Sequence, residues 1–214
     1  MKPNNFPKKI TLDGTEEIYS QTSGVSEKFS LEQAKEYIRP YKVYTALLTQ
    51  SGGDSPADNC SDDPQPLVIG QTYLIESNDG TGDFTNVGAP NNNKGTYFVA
   101  TGTTPNNWGT SGDVCLSYNT GAPIVTVLEN TIGNIWFTYE GEGQYNINSS
   151  GLFIDNKTFV VFGSEYNENN YDGISVLIQT KVIDLIRFKT PINPNGSTLN
   201  DNLFSTSIEI RVYN

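Results

Sequence analysis

The sequence predicts an all-β protein with two β-rich parts that follow an N-terminal arm. Three observations lead to this fold class. Charged residues make up only 17% of the 214 residues, less than the usual quarter, and Asn, Thr, Ser and Gly carry most of the polar content. Short runs of alternating apolar and polar residues recur along the chain between turn formers. Helical spacing occurs in one short stretch.

Residues 1–40 are predicted to form an N-terminal arm. It begins with a short alternating strand and continues with a second one at 17–21. Ser30, followed by Gln33, fits the capping-box pattern that begins a helix, predicted here over 30–38. So short a helix is unstable alone, and it docks either on the chain's own body or on a neighbouring subunit. The candidate anchoring residues are the apolar side chains of the first strand and the helix: Ile10, Leu12, Leu31, Tyr37 and Ile38.

The next strand is predicted at Tyr41–Gln50, where both faces are partly apolar, as in a strand inside a sheet. Residues 51–66 have the composition of a loop. A turn-rich stretch then brackets a short β-rich run at Gly95–Thr101. Its large apolar residues stand at spaced points and predict a compact core: Phe84, Val87, Tyr97, Phe98, Val99 and Trp108.

The last part of the chain has strands at the spacing of a β-sandwich. The turn Gly141–Gly143 is expected to join two of them as a hairpin. The strands are predicted at Pro123–Leu128, Ile135–Glu140, Gln144–Asn148, Thr158–Phe162, Ile174–Thr180, Val182–Lys189 and Ser205–Tyr213.

Charge and composition restrict the function classes. The net charge is −11, which argues against nucleic-acid binding, because neutralising phosphates needs clustered Lys and Arg. No apolar run approaches the ~18 residues of a membrane helix. The N-terminus lacks the apolar segment of a secretion signal, so we expect the chain to be made and assembled in a cytoplasm.

The sequence contains no histidine, which excludes His-based triads and His metal sites. No nucleophile elbow and no phosphate-binding loop is present. Paired carboxylates of the glycosidase type have candidates in Glu129, Glu140 and Glu142, but positions in hairpins explain these residues more simply. We therefore expect no enzymatic activity and no cofactor.

Two further features leave alternatives open. Cys60 and Cys115, the only cysteines, form a disulfide if the ends of the turn-rich stretch are adjacent, or remain thiols in a reducing cytoplasm. Acidic residues in Gly/Ser/Asn loops offer oxygen ligands for calcium, although they do not have EF-hand spacing and are more simply solvated. These are Asp58, Asp62, Asp63, Asp79 and Asp83.

Three motifs carry a resemblance to a known group of proteins. They are GQTYLI at Gly70–Ile75, GDFTNVGA at Gly82–Ala89 and FVATGTTPNNW at Phe98–Trp108. Together they resemble a small module that recurs in virion structural proteins of tailed bacteriophages, including crAss-like and related phages of Bacteroidetes. The stretch around Ser30 more loosely resembles the start of phage fibre and decoration proteins.

A second resemblance predicts the domain organisation. Tyr41–Gly52 and Ala122–Tyr145 are similar to two halves of one segment that is nearly continuous in related phage proteins. This implies a discontinuous β-sandwich-like domain at 41–53 and 121–214, interrupted by an inserted small β module at 54–120. An insertion is tolerated where its ends lie close together at an exposed loop. The alternative is one continuous β domain with a long decorated loop.

These resemblances imply a virion structural protein, and the short arm and small size favour a fibre or decoration component on the head over a long tail fibre. Its arm would attach it to the capsid or to a partner fibre chain, and the copies would form a homo-oligomer, with a trimer favoured. The alternative is a tail-associated module that binds a host receptor or glycan. Exposed aromatic residues within 54–120 would favour that alternative, and buried ones the structural role. A loop with Tyr166 and Tyr171 is the candidate exposed contact.

Overall fold

The described chain is all-β, as the sequence predicts. The computed structural model describes residues 17–22, 25–30, 39–50, 56–110, 114–119, 121–141, 143–163, 177–190, 203 and 205–213. Within these ranges the helical element is a single 3-10 turn at Thr85–Val87. The chain divides into two compact units, Met1–Tyr41 and Lys42–Asn214.

The first unit contains a β-hairpin. Strand β1 (Glu17–Thr22) pairs antiparallel with β2 (Val25–Ser30). The sequence predicted the first of these strands but not the second, and Ser30, the predicted helix cap, is the last residue of β2. The VSEKFS run alternates as a strand does, a signal that the Ser-rich composition concealed. The rest of the predicted helix, and the predicted strand with Ile10 and Leu12, lie outside the described residues.

The remaining strands form three four-stranded antiparallel sheets. The first sandwich sheet has the order β11-β14-β3-β8, the second sandwich sheet β12-β13-β10-β9, and the module sheet β4-β7-β5-β6. The strands are β3 (Tyr41–Thr49), β4 (Pro56–Cys60), β5 (Thr72–Ser77), β6 (Tyr97–Val99), β7 (Cys115–Asn119), β8 (Ile124–Asn130), β9 (Ile135–Gly141), β10 (Gln144–Ser149), β11 (Thr158–Phe162), β12 (Leu177–Lys181), β13 (Leu185–Lys189) and β14 (Thr206–Tyr213).

The two sandwich sheets pack their apolar faces against one core. Strand alternation places every second residue on that face, and β14 shows it clearly, with Ile208, Ile210 and Val212 buried between exposed or half-buried neighbours. Aromatic rings bridge the sheets: Tyr44 lies 6.2 Å from Phe137 between ring centroids. The other core members include Leu48, Val125, Ile135, Tyr145, Ile147, Ile186 and Phe188. The predicted β-sandwich is therefore present.

The module sheet has a hydrophobic core of its own. All the residues of this second cluster lie within 67–118 of the chain: Leu67, Tyr73, Ile75, Phe84, Val87, Ala89, Phe98, Ala100, Val114 and Leu116, with Trp108 and Tyr118 packed against them. The first cluster draws its members from 44–48 and 125–212, with Val99 as the one contribution from the module. The proposed history of this arrangement, an insertion into a host domain, stays a prediction.

Two strand predictions were wrong in ways that pairing explains. Pro56–Cys60 was predicted as loop, because its PADNC sequence has little β propensity, yet it pairs residue by residue with β7. Val182 was predicted inside a strand, but the chain turns there: its amide and carbonyl both bond with Leu185, which joins β12 to β13 as a tight hairpin.

Candidate functional site

The three sequence motifs at Gly70–Ile75, Gly82–Ala89 and Phe98–Trp108 meet in the core of the module. Phe84 of the second motif and Phe98 of the third are fully buried, with ring centroids 6.4 Å apart. Trp108 approaches Phe84 edge-on at 5.7 Å, and Tyr73 of the first motif lies 5.9 Å from Phe98. Burying one such side chain stabilises a fold by about 1.5–3 kcal/mol. The motifs thus specify a packed core.

The polar residues of the second motif organise the loops around that core. The Asp83 carboxylate accepts hydrogen bonds from the Thr85 amide (3.0 Å) and hydroxyl (2.7 Å). It also accepts bonds from Asn92 Nδ2 (3.1 Å) and Asn106 Nδ2 (3.0 Å). These donors, the Thr85 hydroxyl first, hold the pKa of Asp83 well below its ordinary value. The carboxylate is a fixed acceptor that ties three loops together.

Asp79 has the same kind of local role. Its Oδ1 accepts bonds from the hydroxyl (2.5 Å) and then the amide (2.8 Å) of Thr81, which lower the pKa of Asp79. Asp62 and Asp63 are exposed. Among the residues that the structure describes, no group of three acidic or cysteine side chains is arranged to hold a metal ion. The calcium alternative gains no support from these loops.

Gly88 follows the 3-10 turn and needs the conformation of glycine. Its φ is +110°, and a Cβ atom there would lie 2.5 Å from the carbonyl oxygen of Val99. The left-handed backbone lets the chain turn back so that the Thr101 amide bonds to the Val87 carbonyl at 2.9 Å. The Val-Gly-Ala end of the motif is therefore set by backbone geometry.

A disulfide closes the module. Cys60 on β4 and Cys115 on β7 stand directly opposite each other, and their sulfur atoms are bonded at 2.11 Å. The sequence left this pair open between a disulfide and thiols. The bond spans 55 positions of the chain, so it encloses nearly the whole module, and it fixes β4 to β7 at the point where the module begins and ends.

The module lies against one open side of the sandwich. On that side the edge strands are β8 of the first sheet and β9 of the second. The Val125 amide of β8 donates to the carbonyl of Gly70 (2.9 Å), and the Phe137 amide of β9 donates to the hydroxyl of Thr72 (3.2 Å). Both contacts use backbone amides of an edge strand, which would otherwise be open to pairing with a further strand. We call these contacts, with those described next, the junction.

An aromatic stack completes the junction. Tyr97 at the start of β6 and Trp136 on β9 lie nearly parallel, 4° between planes and 5.2 Å between ring centroids. Asn134 Nδ2 donates to the Tyr97 carbonyl at 2.8 Å. A Cβ atom on Gly70 would lie 2.5 Å from the Val125 carbonyl oxygen, so the backbones approach as closely as glycine allows. One ring face of Trp136 is thus occupied by the module.

The structure places two of the carboxylates considered for glycoside hydrolysis on different strands. Glu129 lies on β8 and Glu140 on β9, in different sheets. The Glu140 carboxylate accepts a short hydrogen bond from Asn146 and lies 3.5 Å from the Arg187 guanidinium. Arg187 Nε in turn donates to Asn146 Oδ1 at 3.1 Å. This row of polar side chains links β9, β10 and β13 across the outer face. Glu142 lies outside the described residues.

Two groups of predicted site residues lie outside the described residues. They are the candidate anchoring residues Ile10, Leu12, Leu31, Tyr37 and Ile38, and the candidate contacts Tyr166 and Tyr171. Sequence reasoning missed the junction residues Gly70, Thr72 and Asn134. The first motif contained the first two of these, but nothing in their pattern indicates a contact with distant strands.

No family model, no curated protein and no solved structure matches the chain significantly. In the part of the chain that the structure describes, no helix is long and apolar enough to cross a bilayer.

Proposed function

We propose that this chain is a structural protein of a tailed-bacteriophage virion, a head-fibre component that attaches through its N-terminal arm and projects its β-rich parts outward. One observation supports this proposal: the motifs that resemble the phage module form the core and the loops of a compact unit. Their aromatic residues fill the core of the module, and Asp83 and Gly88 shape its loops. The resemblance therefore concerns a complete structural unit, which supports a building-block role like that of the proteins it resembles.

The exposure of aromatic residues also favours this role over a receptor-binding module. Within the described part of 54–120, Tyr73, Phe84 and Phe98 are buried and Tyr97, Trp108 and Tyr118 are half-buried. Glycan recognition by stacking uses exposed ring faces. The proposal assigns the chain no catalytic activity and no cofactor. Its partners are capsid or fibre chains and further copies of itself.

Particle incorporation tests the proposal. Purified particles of the phage that encodes the chain are probed by mass spectrometry, and gold-labelled antibody locates the protein by electron microscopy. We expect the chain in the particles, with label on the heads. A second phage carries the chain without residues 1–40, and we expect its particles to lack the protein although it is expressed and folded.

Each result has a distinct meaning. Absence of the full-length chain from purified particles would overturn the virion proposal. Label confined to tails would overturn the head location and favour the receptor-binding alternative. Normal incorporation of the shortened chain would show that the arm is not the anchor.

A further inference from the structure

On the side of the sandwich opposite the module, the described residues leave two strand edges unpaired. There the last strands are β11 of the first sheet and β12 of the second, and among the described residues each pairs on one side only, with β14 and β13 respectively. Lys181 Nζ of β12 donates to the Thr158 carbonyl of β11 at 2.6 Å, so the two edges lie side by side. An open edge is a template for association unless something covers it.

Exposed apolar side chains concentrate at these edges. Hydrogen bonds make the surface continuous: Ile154 bonds with Thr158 at 2.8 Å, and the Phe153 amide bonds with the Ile183 carbonyl at 3.1 Å. We call this surface the edge patch. Its apolar members are each between 42% and 57% exposed: Ile154, Phe159, Val161, Ile178, Val182 and Ile183.

Among the described residues of these segments and of the adjoining β14 face, the charges balance, unlike those of the whole chain. The charged residues are Asp155, Lys157, Lys181, Asp184, Glu209 and Arg211. Three are acidic and three basic, whereas the chain carries a net charge of −11. Glu209 and Arg211 pair with each other on β14, directly beside Val161 and Phe159.

This balance indicates the occupant. Two copies of a strongly acidic chain repel each other over most of their surfaces, and repulsion is weakest where the local charge is zero and opposite signs can interdigitate. A basic partner, in contrast, would be attracted to the acidic remainder of the surface. An apolar, charge-balanced patch on an open edge is thus self-complementary.

We propose that the edge patch is the surface through which copies of this chain contact one another in a homo-oligomer. This inference rests on the proposed fibre function, which calls for association of copies, and it specifies where that association occurs. The module closes one side of the sandwich within the chain, and a second copy closes the other.

The test compares two charge-introducing variants in the full-length chain. Solution mass is measured by light scattering after size exclusion over a range of concentrations. We expect the wild type at a multiple of its 23.5 kDa chain mass. The double variant Phe159→Glu/Val161→Glu places like charges in the contact. Its oligomer should therefore dissociate into monomers at a protein concentration about 100-fold higher, or more, than the wild-type oligomer does.

The matched control is Leu128→Glu. Leu128 is 63% exposed on β8, on the side that the module occupies, and this variant should keep the wild-type mass. Hydrogen exchange of wild-type β11 gives a second readout that needs no variant. We expect protection of β11 amides to rise with protein concentration.

A wild type that is monomeric at every concentration would overturn the inference, as would a double variant with unchanged mass. Protection of β11 that does not depend on concentration would also overturn it, since another segment of the same chain would then cover the edge. The inference and the proposed function fail separately. A monomer found in particles contradicts only the edge patch, and an oligomer absent from particles contradicts only the virion role.

Discussion

Asp83 shows how one side chain serves three loops. Two of its donors come from Thr85, two residues away, while Asn92 and Asn106 are 9 and 23 residues away. The carboxylate form is required, because only the ionised group accepts all of these bonds without a proton of its own. The Asp83 site therefore links a local sequence motif to loops that converge only in the folded module.

We expect Asp83→Asn to destabilise the module, because the amide replaces one acceptor oxygen with a donor facing other donors. The effect has a defined pH dependence. Since the folded-state pKa of Asp83 is lowered, its stabilisation is present above about pH 4, the ordinary Asp range, and is lost as the pH falls below it. Urea unfolding of both proteins between about pH 7 and pH 3 measures this.

The informative quantity is the stability difference between wild type and variant, because other carboxylates affect both proteins alike. The difference should narrow as the pH falls below about 4. A difference that stays constant with pH would show that Asp83 acts through packing and not through its charge.

At the scale of elements, β4 is the clearest case in which pairing overrides local preference. PADNC has no alternating pattern, yet β4 forms an edge of the module sheet through its pairing with β7 and the disulfide between Cys60 and Cys115. By contrast, β9 and β10 have strong alternation and a glycine turn, so the sequence predicted their hairpin correctly. Local pattern is sufficient where alternation is present, and insufficient for a strand such as β4, which forms through a partner 55 residues away.

The disulfide is expected to be the main covalent stabiliser of the module. Closing a loop of this length stabilises the folded state by about 4 kcal/mol in the chain-entropy model. We therefore predict that Cys60→Ala/Cys115→Ala lowers the free energy of unfolding by up to that amount. Wild-type protein in a reducing buffer should show a similar loss, and the double variant should not respond to the reductant. A wild type that is equally stable when oxidised and reduced would contradict this.

At the scale of the whole molecule, the sequence predicted the layers better than their contacts. Alternation and turn spacing were enough for the all-β class, for the sandwich core and for a compact turn-rich module. They could not predict the junction, because Gly70, Thr72 and Tyr97 lie far along the chain from Val125, Phe137 and Trp136. No short-range sequence pattern couples the two groups. For the candidate site, the sequence likewise identified the three motifs and their large apolar residues. It did not predict the hydrogen bonds through which Asp83 links the loops around the core.

The junction makes a prediction about cooperativity. The module and the sandwich have largely separate cores, with Val99 of the module packed in the sandwich core, so they unfold together only if Val99 and the junction couple them. The junction includes the Tyr97–Trp136 stack, and an aromatic pair contributes about 0.5–1.5 kcal/mol beyond area burial. A double-mutant cycle with Tyr97→Ala and Trp136→Ala should therefore give a coupling free energy of about 1 kcal/mol.

Scanning calorimetry tests whether the module and the sandwich unfold together. It should show one unfolding transition for the wild type and two for Trp136→Ala. Leu128→Ala, an exposed truncation on β8, should keep a single transition. Two transitions in the wild type would instead mean that the module is carried by the sandwich without being energetically joined to it.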